Sequence, residues 1–191
     1  MNQQLHETKI KGLNRHRVVK PFSELLTCSI NDNNEKEAVN MNHWETKREA
    51  VEKLMQDATV VRLALCDGEQ PYVVPVNFGV GEGKLYFHSG AKGTKVDILS
   101  RNPRVAFEMD ADVTVVRHPE ACHWSMKYRS LVGTGIARLL TDPAEKKAGL
   151  DRLMAHHAPG EAFPYDEKMM TVTHVYEIAV EHLHYKEAKG S

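Results

Sequence analysis

A mainly β domain with peripheral helices, built on six or seven antiparallel strands that close into a barrel, is the architecture this sequence predicts. Two observations carry it. From residue 59 onward, short apolar and β-branched runs recur between Gly, Asp and Pro turn signals. Few helical stretches separate these runs, so the strands join as hairpins rather than through the crossover helices of a parallel sheet. The 191 residues suffice for one sizeable core with an appendage.

Residues 1–40 lack sustained periodicity, begin basic (Lys9, Lys11, Arg15, Arg17, Lys20) and turn polar and acidic. They read as an N-terminal arm, partly ordered or disordered, ahead of one folded domain over 41–191. The first helix is expected near Asn42, which with Glu45 resembles a capping box; Ala50, Val51, Leu54, Met55 and Ala58 follow at helical spacing. Thr59 to Cys66 is a strand, and Asp67-Gly68 a hairpin turn. Tyr72 to Phe78 returns with Pro75 inside it, which makes that strand an edge, a bulge or irregular, because proline donates nothing to a ladder. A Gly-rich turn at 79–83 leads into the strand Lys84 to Ser89, then a short helix from Thr94 to Ser100 that stops before Asn102-Pro103. Arg104 to Met109 and Val113 to Val116 are two further β-runs, Arg117 to Lys127 a polar and aromatic loop, and Ser130 to Leu140 a long strand. Asp142-Pro143-Ala144-Glu145 starts a helix that ends near Pro159-Gly160, and Thr171 to His182 is the last strand.

Composition narrows the function. A net charge of -1 gives no basic surface for nucleic acid, and no apolar run reaches the length of a membrane span. No signal-peptide stretch opens the chain, and Cys28, Cys66 and Cys122 are too few and too scattered for a disulfide framework, so a cytoplasmic protein with reduced thiols is expected.

Residues 71–103 carry the chemistry. A strand, a loop with Gly90, Lys92, Gly93 and Lys95, and a helix N-terminus bring backbone amides and ammonium groups together where a phosphate could sit. Four blocks in order, Pro71-Tyr72-x-x-Pro75-Val76-Asn77, Leu85-Tyr86-Phe87-His88-Ser89, Lys92-Gly93-x-Lys95 with Asn102-Pro103-Arg104-Val105, and Tyr128 through Gly135, resemble the pyridoxamine 5′-phosphate oxidase-like superfamily of FMN-binding split β-barrels. The likeness is nearest the branch of flavin-nucleotide-binding and nitroimidazole-resistance-type proteins and spans roughly residues 42–182. It implies a homodimeric split β-barrel with two FMN sites at the subunit interface and a small-molecule substrate. Val74, Pro75, Val76 and Asn77 would lie beside the flavin ring; Phe87, His88 and Ser89 would continue around the ring and ribityl chain. Lys92, Thr94 and Lys95 would hold the 5′-phosphate, and a partner subunit would add Tyr128, Arg129 and Ser130, with Trp124.

His88 admits two roles, a proton donor to a reduced substrate or a histidine that only shapes the pocket. The chain therefore reads as an FMN-dependent oxidoreductase reducing a small acceptor, nitro compounds included. The alternative is a non-catalytic protein on the same barrel holding flavin, or haem through His88, His182 or His184. No arginine stands in the C-terminal stretch His182 to Lys189, which argues against vitamin B6 oxidation. His118, Cys122 and His123 sit close in sequence, but their spacing fits no standard metal site and none is expected.

Overall fold

The computed structural model describes residues 41–190, with side chains from residue 48; the expected arm, and the Asn42 and Glu45 side chains, lie outside the described residues. Helix α1 (Met41–Asp57) already contains Asn42 and buries Val51, Leu54 and Met55 against the sheet. Strands β1 (Val61–Asp67), β2 (Gln70–Val76), β3 (Gly79–Gly81) and β4 (Lys84–Gly90) follow, then α2 (Thr94–Arg101), β5 (Arg104–Val116) and β6 (Ser125–Leu139). The chain ends with α3 (Pro143–His157), α4 (Glu167–Val172) and β7 (Thr173–Lys189). Among the described residues no helix is long and apolar enough to cross a membrane.

All seven strands form one antiparallel sheet in the order β2-β1-β5-β6-β7-β4-β3. Its two edges, β2 and β3, are consecutive in the chain and joined only by Asn77 and Phe78. Such a link spans about 11 Å at most, so the sheet must curl until its ends nearly meet, which is the split barrel expected. Pro75 falls on edge strand β2, where its missing donor costs no ladder bond to a second neighbour. Alternation sends Leu63, Leu65, Leu85, Phe87, Phe107 and Ile178 inward, and Ile98 and Leu99 of α2 close one end of that core.

Outside the barrel, α3 packs across β3, β4 and β7. Asp142 caps it by accepting from the amides of Ala144 (3.0 Å) and Glu145 (2.9 Å), as its sequence indicated. Glu177 on β7 accepts from Lys84 and Arg138 at 2.9 Å each, and Arg138 reaches Glu145 of α3. Gly79 is required where β3 passes α3, because a Cβ there would run into the main chain of Arg152 and Leu153.

Five elements differ from expectation. Gly79–Gly81 is a strand, and the turn shrinks to Glu82 and Gly83, both at positive φ (53° and 74°). Arg104–Met109 and Val113–Val116 are one strand, interrupted by a bulge at which Asp112 adopts φ 58°. Strand β6 starts at Ser125, inside the expected loop, and β7 runs on to Lys189. Helix α4 is too short for periodicity to reveal; its cap, Asp166 accepting from Met169 (2.9 Å), holds it.

Candidate functional site

Strand β4 sorts its residues by face. Phe87 points inward, 1% exposed, with its ring stacked on Tyr176 at 5.0 Å, which leaves its main chain as the part open to a ligand. His88 points the other way, into a cavity of about 350 Å³ under α3 and α4. Asn77, from the link between the two sheet edges, opens into the same cavity, as do Met154, His157, Tyr165 and Met170. The structure therefore brings Asn77 and His88 together. The helical wall was missed by sequence reasoning: residues 158–172 have no sustained period, and His156-His157 looked like cations at a helix end. Burial, with His156 nearby, instead pushes the His157 imidazole below its ordinary range. Tyr165, whose hydroxyl donates to Asp151 (2.9 Å), is pushed up to about 12 by burial and that bond.

Beyond Ser89 the chain turns into the α2 N-terminus. Gly93 sits at its cap with φ 124°, a backbone few other residues adopt, and no side chain caps the first turn. Thr94 opens the helix, exposed, and Lys92 stands exposed just before it. Lys95 is half-buried, its Nζ 5.5 Å from the centre of the Phe87 ring, and burial pushes its ammonium below the usual lysine range. Among the described residues no carboxylate pairs with Lys92 or Lys95. Opposite Ser89 on β7 stands His174, whose buried Nδ1 has no hydrogen-bond partner. Uncapped amides, an uncompensated ammonium and a buried orphan nitrogen form a cradle that an anionic, hydrogen-bonding ligand would satisfy.

Val74, Pro75 and Val76 lie on the edge strand, half of whose main-chain groups have no sheet neighbour. The remaining expected residues are elsewhere. Tyr128, Arg129 and Ser130 lie on β6, where Tyr128 registers with Ala188, while Gly90 registers with Thr173 at the opposite end of β7. Fifteen residues of β7 separate the two, on the order of 50 Å of strand. Arg129 is held between Asp112 (Nε to Oδ2, 2.7 Å) and Asp57 (2.6 Å), Tyr128 stacks under Lys186, and Trp124 is half exposed beneath Arg117. His182 and His184 lie on the exposed face of β7, at least seven residues along from the Val175 that registers with His88, so neither shares its cavity.

A family model described as pyridoxamine 5′-phosphate oxidase matches residues 47–187. The chain belongs to that family. Among solved members of the same fold is a candidate 5-nitroimidazole antibiotic resistance protein from Bacteroides thetaiotaomicron, 29% identical with a TM-score of 0.64, the match covering 71% of this chain and 81% of that one. An FAD-binding protein from Mesorhizobium loti is 25% identical, TM-score 0.54, over 74% of this chain and 94% of that one. An FAD and haem binding protein from Mycobacterium smegmatis shares the fold, with a TM-score of 0.68 and 23% identity over 75% and 72% of the two chains. A Rhizobium meliloti protein is 32% identical over 62 residues, which is 32% of this chain and 40% of that protein's length.

Proposed function

We propose that this pyridoxamine 5′-phosphate oxidase family member is an FMN-binding oxidoreductase that reduces a small acceptor in the cavity beside His88. The observation that carries this reading is the cradle at the α2 N-terminus, immediately beyond the strand from which His88 opens into that cavity. The 5′-phosphate would be held by the first-turn amides, by Thr94, and by the ammonium groups of Lys92 and Lys95, whose charge no carboxylate among the described residues consumes. Free main-chain groups of Val74 to Asn77, on and just beyond the edge strand, would be available to hydrogen-bond the polar edge of the flavin ring. Bound flavin supplies the electron and hydride chemistry. The largely apolar cavity receives the acceptor, Asn77 would orient it, and the His88 imidazole would stand where it can deliver a proton to it.

Vitamin B6 oxidation is disfavoured on two grounds. Strand β7 carries no arginine, and the cavity lining includes the Asp166 carboxylate but no lysine or arginine to hold a second phosphate. The site is completed by a second copy of the chain. Tyr128 and Ser130, on β6, register with the far end of β7 and so lie too distant to serve their own cradle, and Val113, Val115, Trp124 and Met126 beside them are 44–51% exposed, an apolar surface suited to a homodimer. The FAD-binding and nitroimidazole-resistance descriptions of the relatives support flavin and a nitro-type acceptor.

Incubation with FMN, desalting, and mass spectrometry of the released ligand test the proposal. Retained FMN with flavin absorption is expected, and a colourless protein would refute it; a Soret band would assign haem instead. Mixed dimers, in which only one protomer carries Lys95→Ala and only the other Tyr128→Ala, are expected to keep one intact site in two. Loss of both sites would contradict sharing between protomers.

A further inference from the structure

We infer that the turn between β5 and β6 is a zinc site built from Glu120, Cys122 and His123, independent of the flavin reading. The three donor atoms, a carboxylate oxygen, a thiol sulfur and an imidazole nitrogen, all lie within 4.8 Å of one another. Glu120 Oε2 and His123 Nε2 are already 3.2 Å apart. Around tetrahedral zinc, bond lengths of about 2.0–2.3 Å put ligand atoms roughly 3.3–3.8 Å apart. The exposed side chains therefore need shifts of only about 1 Å to close on an ion, with no backbone change.

The local fold explains the convergence. Residues Ala121–His123 form one turn of 3-10 helix, fixed by His123 N–H to Glu120 O (3.1 Å) and Trp124 N–H to Ala121 O (3.2 Å). In that geometry residues three apart eclipse, which superposes Glu120 and His123 and leaves Cys122 beside them. In sequence His118, Cys122 and His123 lie close together but at no standard metal spacing, and no site is expected; in the structure it is Glu120, not His118, that converges with Cys122 and His123. The His118 ring packs against that of His123, 4.7 Å between centroids, but its Nδ1 accepts the Glu120 amide at 3.1 Å. The neutral ring then carries its proton on Nε2 and offers no lone pair to the ion. It is a positioning residue that holds the turn.

One sulfur, one nitrogen and one oxygen make a borderline-soft set that suits Zn²⁺ over Mg²⁺ or Ca²⁺, with a fourth position for water. Binding displaces the Cys122 thiol proton to solvent as the sulfur–zinc bond forms, with no change of oxidation state. The bound ion would stiffen the turn that delivers Trp124 into β6.

Co²⁺ substitution in the full chain, produced without a histidine tag, tests the assignment. One Co²⁺ per chain is expected, with a thiolate-to-metal charge-transfer band displaced by Zn²⁺. The band is expected to vanish in Cys122→Ser, to need at least ~10-fold more metal in Glu120→Gln and in His123→Ala, and to persist in Cys28→Ser and Cys66→Ser. No band in the wild type, or a band that survives Cys122→Ser, would overturn it. Unchanged circular dichroism in each variant separates loss of ligand from loss of fold.

Discussion

Lys95 and Arg129, two cations expected at the same cofactor, stand in opposite electrostatic circumstances. Lys95 is half-buried at an uncapped helix start, has no carboxylate partner among the described residues, and is pushed below the normal lysine range by desolvation. Arg129 is 12% exposed and held by Asp57 and Asp112, whose hydrogen bonds push it above its ordinary value. A cation already neutralised gains little from an anionic ligand, whereas an isolated, partly desolvated one gains much. Lys95 is therefore the cation suited to a phosphate, while Arg129 ties the end of α1 to the β5 bulge and so fixes where Tyr128 and Ser130 stand.

Changes at each region sharpen this contrast. The largest effect is expected from Gly79→Ala, which forces a Cβ into the α3 backbone behind the His88 cavity. A cost of about 3 kcal/mol or more, and a Tm lower by on the order of 10 °C in thermal denaturation, are expected. His88→Gln comes next. As a proton donor its loss lowers steady-state acceptor reduction by about 100-fold or more with FMN affinity unchanged, whereas a change below about 3-fold would make it a shaping residue only. Lys95→Ala is expected to weaken FMN by about 10- to 100-fold in a fluorescence titration, the value of a hydrogen bond to a charged group, with little change in Tm.

Arg129→Met is expected to have the smallest effect, about 1 kcal/mol of stability, because its carboxylate partners are 36% and 66% exposed and screened by water. Its pH signature is specific. The Arg129 hydrogen bond, then Lys53, holds the Asp57 carboxyl below its ordinary 3.8. The folded state thus binds fewer protons than the unfolded one, so this stabilisation is present above about pH 4 and is lost as pH falls through the lowered value. Thermal scans should show the wild type's advantage over Arg129→Met narrowing as the medium is acidified below about pH 4. A gap that holds constant would mean the ion pair contributes nothing.

How much of this was legible in the sequence depended on range. Strand alternation, the Asp142 cap, the Pro75 edge and the Lys92–Lys95 loop are local signals, and the structure contains each of them. The face of His88 also follows from alternation, but what covers that face does not: Met154, Tyr165 and Met170 reach it only through packing of α3 and a capped single turn. The Asp112 bulge hid the continuity of β5, since one residue at φ 58° breaks the period without ending the strand. The pairing of Arg129 with Asp57, 72 positions away, has no local trace at all.

Phosphate binding at the α2 N-terminus underlies the proposed flavin site. Titrating the flavin-free protein with FMN and with riboflavin, which lacks only that group, tests it most directly. FMN is expected to bind at least ~10-fold tighter than riboflavin, with the preference erased in Lys95→Ala. Equal affinities in the wild type, or a preference that survives Lys95→Ala, would contradict it.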